Sequence, residues 1–585
     1  MFQTVKSMGV SFLQSLPSLS FRNQNQRHKK SDLLERMTLE EKVGQLFVAH
    51  FRGEVANEDA KTLIHDVKVG GIIYYNWSNG LTSPEQARKL SAGLQALSQQ
   101  NRIPIPLLIS ADQEGGVVIR LNNGFTIFPG NKALGMTGNP KLAEEAALAT
   151  GKELGAVGIN MNLAPVVDVN SEPRNPVIGI RAFSGSPETV LAFGKRALSG
   201  YNQAHTIATL KHFPGHGDVL VDSHENFPVN QKSVAELEHT ELLPFDKLAS
   251  SVDAIMTAHI LVPALDPKNC ATLSPKILAY LKDKIGFKGV IIADSLVMEG
   301  VLKKCKTVDE AAIQALNAGC DILMLGGKQL ISDQTDRELT VLDIQRIHHS
   351  IVDAVKKGRV TEDRLNQAVE KILQLKEKYL SSKPPIIQSD DIRKFVNTEE
   401  HRALAQKIAS RALKVIQNEP ISSLHQKNVF VLAPQVLRNS MEKTSVLNFG
   451  KTTDSFFFKD LNPSSSEIET AKMHAKAADV LLVCSYNSWK NPLQESLIQS
   501  LLGLGKPVIL FVMRDPLDAL LFPKANMIFN TYSPTAPSIQ AACDYLEEHT
   551  KHNVSSTQAH RYGAFIMRLF RGVTKLSPIS CRESV

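Results

Sequence analysis

Val290-Ile291-Ile292-Ala293-Asp294 is an apolar run, mostly β-branched, that stops on a carboxylate. It is too short for a helix and does not alternate in polarity, which is the pattern of a strand buried on both faces. Working outward, seven more such runs lie between residues 40 and 330, at 43–51, 69–75, 106–111, 158–169, 207–211, 254–260 and 321–325. Amphipathic stretches such as 140–155 and 187–204 separate them. Eight β/α units in about 290 residues match the size of a (β/α)8 barrel of the TIM type, which typically takes ~250. A doubly wound open sheet is the alternative that the same alternation allows. The expected class is α/β, with the barrel first.

Helical-period segments follow from 332 to 380, where Val369, Ile372, Leu373 and Lys376 form a one-sided stripe that packs on the barrel. Pro384-Pro385 then marks an extended linker. Beyond it, 428–433, 479–485, 508–513 and 527–531 read as buried strands separated by helices, a smaller α/β sandwich domain. The resulting division is a disordered leader at 1–34, a catalytic barrel at 35–380, a linker at 381–400 and a C-terminal domain at 401–585. Residues 8–19 are apolar but broken by Ser, Gln and Pro, without a clean small-x-small cleavage site, so a leader is expected rather than an export signal. No apolar run approaches the ~20 residues that span a bilayer. A cytoplasmic location follows as the expectation.

Composition excludes other classes. Hydrophobic residues at 43% and charged residues at 21% describe an ordinary globular chain. The net charge of +7 is modest, and its basic residues are scattered apart from 22–30, with no interleaved aromatics. That argues against a nucleic-acid surface. All six cysteines fall from Cys270 onward without a CxxC pair, as expected of buried reduced thiols. Nothing implies a partner chain, and a monomer is expected.

Reactive side chains of a barrel come from the C-terminal ends of its strands. Asp112-Gln113-Glu114-Gly115-Gly116 follows the third run, Asn170 and Arg181 the fourth, and Lys211-His212-Phe213-Pro214-Gly215-His216-Gly217 the fifth. His259 ends the sixth run and Asp294-Ser295 the seventh. Asp294 either faces a substrate as a nucleophile or caps a helix starting near Leu296. The loop from Lys211 is a plain turn, a metal site built on His212 and His216, or a substrate loop whose Lys211 and His212 donate to sugar hydroxyls. Pro214-Gly215 would break the helix that the i,i+4 metal spacing requires, so no metal is expected. In Asp222-Ser223-His224, an Asp two residues before a His can orient the ring and raise its pKa, making a proton donor near neutrality. A solvated loop pair is the bland alternative.

Together these residues resemble the family 3 glycoside hydrolases, in their β-N-acetylglucosaminidase branch, from about residue 37 to 380. The resemblance rests on Asp112-Gln113-Glu114-Gly115-Gly116 with Arg120, on Asn175-Pro176-Val177-Ile178-Gly179-Ile180-Arg181-Ala182-Phe183, and on Lys211-His212-Phe213-Pro214-Gly215-His216-Gly217 with Asp222-Ser223-His224. Met256-Thr257-Ala258-His259 and Gly289-Val290-Ile291-Ile292-Ala293-Asp294 complete it.

The resemblance implies a retaining two-step displacement without a cofactor. Asp294 would be the nucleophile and His224, held by Asp222, the acid and base, in place of the usual second carboxylate. Asp112, Arg120, Arg181, Lys211 and His212 would grip a terminal β-linked N-acetylglucosamine, from cell-wall muropeptides or chitin-like sugars. Three positions depart from the usual pattern: Ser295, Val117 after the Gly-Gly pair, and Tyr74-Tyr75-Asn76-Trp77. Rival expectations are a phosphorylase using the same residues, a β-glucosidase or xylosidase, and a glycan-binding protein without turnover. The C-terminal half resembles the second domain of two-domain members, with a buttressing role.

Overall fold

Eight strands, most of them only two to four residues long, close on themselves in the first half of the chain: β1 (Phe47–Ala49), β2 (Gly71–Ile73), β3 (Leu108–Ala111), β4 (Met161–Asn162), β5 (Ile207–Phe213), β6 (Ala254–Thr257), β7 (Val290–Ala293) and β8 (Ile322–Leu325). The computed structural model describes residues 33–220, 228–331, 334–381, 392–419, 421 and 424–551, with the backbone alone at 299, 328–331, 334–337, 550 and 551. Each strand pairs in parallel with its sequence neighbour, and β1 closes the ring on β8 through Phe47 opposite Leu323 and Ala49 opposite Leu325. The barrel strands are buried throughout, which is why their sequences run apolar without alternation.

The helices between them carry their own start signals. Ser83 and Ser186 accept from the backbone of Gln86 and Thr189 at the heads of Pro84–Ser98 and Pro187–Gln203, each with Pro in its first turn. Helix Pro187–Gln203 lies so close to Lys141–Ala156 that a Cβ at Gly200 would sit 2.3 Å from the Glu144 carbonyl oxygen. Only glycine fits that crossing. Helix Glu362–Leu380 closes the far end of the barrel. It buries Leu365, Ala368, Val369, Ile372, Leu375, Lys376 and Tyr379, so the stripe holds except that Leu373 is only partly buried. Lys376, 3% exposed, donates from Nζ to Gln45 Oε1 at 2.8 Å.

The second half forms a six-stranded sheet from β9 (Lys414–Asn418), β10 (Asn428–Pro434), β11 (Thr452–Phe458), β12 (Val480–Ser485), β13 (Val508–Val512) and β14 (Met527–Asn530). The spatial order is β9-β14-β13-β12-β10-β11, all parallel except the β9–β14 pair. Separate apolar clusters cover its two faces, giving an α/β sandwich. The strands at 428–433, 479–485, 508–513 and 527–531 are its interior. The edge strands β9 and β11 are half-exposed and partly polar, which hid them in the sequence.

Helix Glu399–Ala412 ties the halves together. Ala405 and Ile408 join the barrel's core, while Ala412 packs with Ala133 of the barrel and Tyr532 beyond β14. No described helix is long and apolar enough to cross a membrane. The five described cysteines, Cys270, Cys305, Cys320, Cys484 and Cys543, are buried free thiols, while Cys581 lies outside the described residues.

Candidate active site

The C-terminal ends of β3, β5 and β7, with the turn after β4, bring one set of charges together. After β3 the chain folds back in a short hairpin, Gln113–Gly115 against Val118–Ile119. Gln113 pins it: its Oε1 accepts from the amides of Arg120 and Leu121, and its Nε2 donates to the Leu121 carbonyl. Asp112, Glu114 and Arg120 thereby converge on one centre.

Lys211, 2% exposed near the end of β5, is the hub of that centre. Its ammonium lies 2.8 Å from Asp112 Oδ1 and 2.7 Å from Glu114 Oε1. Glu114 also accepts from Arg181 Nε at 3.0 Å and Nη2 at 2.8 Å, a bidentate pair. Arg120 Nη2 reaches Asp112 Oδ2 at 3.5 Å. Burial opposes every charge here, but the opposite partners win. Lys211 and Arg120 hold Asp112 below the usual carboxylate range, and Arg181 and Lys211 hold Glu114 well below it. Lys211 and Arg181 are pushed upward, Lys211 by Asp112 and Glu114 and Arg181 chiefly by Glu114. The cluster is therefore ionised, and its part-exposed members present fixed donors and acceptors to a polyhydroxylated ligand.

His212 is oriented from behind. Its Nδ1 meets Asp168 Oδ2 at 2.7 Å, and Asp168 Oδ1 accepts from the backbone amides of His212 and His216 at 3.1 and 2.7 Å. Nε2 of His212 lies 3.4 Å from Arg181 Nη2. His216 is buried edge-to-face on His212, ring centroids 6.1 Å apart, and burial lowers its pKa to about 4.

Asp294 follows β7 directly. The next helix, Glu299–Cys305, begins only after its N-cap Met298, so Asp294 does not cap it. Its Oδ1 accepts instead from the adjacent Ser295 amide at 2.7 Å. Burial works against its ionisation, yet His259, His212, that amide and Lys211 together keep its pKa below the ordinary value. His259 is clamped between Thr272 Oγ1 at 2.9 Å and the Ser295 carbonyl at 2.8 Å, which fixes the turn carrying Asp294. A half-buried carboxylate held ionised at the barrel mouth can act as a nucleophile or as a counter-charge to a developing cation.

The structure thus brings Asp112, Arg120, Arg181, Lys211, His212 and Asp294 into one site. Asp222 and His224 lie outside the described residues; on either side, buried Val219 and the Pro228–Asn230 backbone, which exchanges hydrogen bonds with Leu261, belong to the β5 and β6 ends. Glu114 and Asp168 have no role assigned from sequence. Asp168, a lone carboxylate inside an apolar run, was the readable signal. Among the described residues no three His, Cys, Asp or Glu side chains converge as a metal site requires.

Residues 38–375 match the model of the glycosyl hydrolase family 3 N-terminal domain. Beta-hexosaminidase A of Pseudoalteromonas piscicida is 34% identical over 381 residues, covering 62% of this chain and 62% of that protein. Beta-hexosaminidase of Pseudomonas aeruginosa is 35% identical over 294 residues, 50% of this chain and 83% of the other. Among solved structures, a glycoside hydrolase family 3 beta-N-acetylglucosaminidase from Paenibacillus sp. str. FPU-7 superposes with a TM-score of 0.78 at 34% identity, covering 88% of this chain and 97% of that one. The chain spans less than two thirds of the first of these relatives.

Proposed function

The chain belongs to glycosyl hydrolase family 3, and from that premise we propose that it is a retaining exo-β-N-acetylglucosaminidase. The observation that carries the reading is Asp294, held ionised beside the Asp112–Lys211–Glu114–Arg181 cluster. The similarity to beta-hexosaminidases and to a beta-N-acetylglucosaminidase supports the sugar. Asp112, Arg120, Arg181, Lys211 and His212 bind the terminal N-acetylglucosamine and present its anomeric carbon to Asp294. The carboxylate attacks that carbon while the leaving oxygen takes a proton from His224, which Asp222 orients. The glycosyl ester on Asp294 is then hydrolysed by water that His224 deprotonates, so the product keeps the β configuration. Cell-wall muropeptides and chitin-like oligosaccharides are the natural substrate classes that fit this cleavage.

The test is incubation with an aryl β-N-acetylglucosaminide, with and without phosphate, and identification of the sugar released. Free N-acetylglucosamine in both tubes is the expected result. N-acetylglucosamine 1-phosphate, formed only with phosphate, would make the enzyme a phosphorylase. No sugar in either tube would remove the catalytic reading.

A further inference from the structure

Asp515, 4% exposed, is a carboxylate of the second half buried within two residues of Arg181 in space but more than 300 away in sequence. It lies in the loop after β13, at the carboxyl end of a parallel strand, where loops are free to reach a ligand or a neighbouring domain. That loop is stitched to the one after β12. The fully buried Asp518 accepts from the amides of Ser488 and Trp489 at 2.9 and 3.1 Å. The Asp515 amide donates to Asn487 Oδ1 at 3.2 Å, and the Trp489 indole Nε1 donates to Asp515 Oδ2 at 3.3 Å. The acid is held rigidly.

On the barrel side, the short turn Gly179–Arg181 hangs on three asparagines. Asn170 Oδ1 accepts from the Gly179 amide at 3.0 Å, Asn175 Oδ1 accepts from the Ile178 amide at 2.8 Å, and Asn131 Nδ2 donates to the Arg181 carbonyl at 2.8 Å. From the second half, Asp515 Oδ1 comes within 3.0 Å of where a Cβ of Gly179, at φ +45°, would lie. Lys132, next to Asn131, is within electrostatic reach of the same carboxylate. Burial lowers the Lys132 pKa and Asp515 opposes it, while burial raises the Asp515 pKa against Arg514, Trp489, Lys132 and Lys490. A glycine leaves its turn conformationally free, so contacts from outside decide where it rests.

We propose that Asp515 is a positioning residue of the sugar site. Seated against Gly179 and attracted to Lys132, it fixes the turn from the side of the second half and so sets the direction in which Arg181 leaves the backbone. Arg181 meets Glu114 through two parallel bonds, 3.0 and 2.8 Å long, and a bidentate pair of this kind depends on the tilt of the guanidinium. The sheet domain is then a working part of substrate binding, beyond its buttressing of the barrel. This rests on the glycosidase reading and adds to it a residue from outside the barrel.

The experiment measures kinetics on an aryl β-N-acetylglucosaminide and the Kd of N-acetylglucosamine by calorimetry, in the full chain. Asp515→Ala is expected to raise KM and Kd roughly tenfold and to change kcat by less than about threefold. In an Arg181→Ala background the same substitution is expected to add nothing to either loss, because the turn then has no guanidinium to aim. A lowered melting temperature with KM and Kd unchanged, or a further loss of roughly tenfold in the double variant, would overturn the positioning role. If the alanine variant folds poorly, Trp489→Phe replaces it, keeping an aromatic ring while removing the indole N–H that holds the carboxylate. KM and Kd should then rise several-fold, and unchanged values overturn the role. Wild-type protein that neither binds nor releases N-acetylglucosamine removes the glycosidase reading and Asp515's role with it; normal wild-type turnover with unaffected variants removes that role only.

Discussion

At the residue scale, Asp294 and the charges around it divide the labour. With Ala in place of Asp294, turnover should fall by at least ~10⁴-fold while N-acetylglucosamine binding survives, read by steady-state kinetics and calorimetry. Near-normal activity would refute the nucleophile assignment. Burial opposes ionisation of Asp294, but His259, His212, the Ser295 amide and Lys211 hold its pKa below the ordinary carboxylate value, so an acidic limb of kcat/KM near neutrality belongs to another group. His224→Ala tests that group. The loss should be roughly 10²–10⁴-fold on substrates with poor leaving groups and slight on activated aryl glycosides. Equal losses would deny it the proton-donor role. Asp294 was legible because it stops an apolar run where a barrel strand must end. Glu114 stood in the Asp112–Gly116 motif, but sequence does not tell a ligand-gripping carboxylate from one bound to Arg181 and Lys211. Asp168 was absorbed into the run 158–169, and only the folded chain sets it behind His212.

At the element scale, the eight strands were legible because burial on both faces leaves no room for polar alternation. Their lengths were not. The run 158–169 pairs regularly only at Met161–Asn162, with an isolated bridge from Val166 to Lys211, because Pro165 between them has no amide to donate. The closing helix Glu362–Leu380 carries an apolar stripe interrupted by Lys376. Burial lowers that amine's pKa to about 7, and its described partner is a neutral amide. The unfolded chain binds this proton more tightly, so the lysine costs stability most at low pH and the cost fades as pH rises from about 7 towards 10. Lys376→Met should raise the melting temperature at pH 7, with a smaller gain at pH 9. Melting curves at the two pH values decide it, and a gain that grows with pH would contradict the burial argument.

At the scale of the whole molecule, the two halves meet close to the chemistry. Gly179, two residues before Arg181, has φ of +45°, and a Cβ there would lie 3.0 Å from Asp515 Oδ1 beyond β13. Asp515 is buried, which pushes its pKa up, and it accepts from the Trp489 indole nitrogen at 3.3 Å. Gly179→Ala should cost about 1–2 kcal/mol in stability through the left-handed backbone and should raise KM by displacing Arg181. Denaturant titration and kinetics check both, and an unchanged KM would uncouple the turn from the site. Sequence separated the two halves but could not bring Asp515 to Gly179, since that contact joins positions more than 300 residues apart. The same meeting point limits how such genes can be shuffled. A chimaera that takes its barrel from one parent and its sheet from another inherits the glycine and the aspartate separately, so a methyl brought in by one parent meets a carboxylate brought in by the other. Recombinants of this kind avoid that clash when the residue at position 179 is matched to the one at position 515.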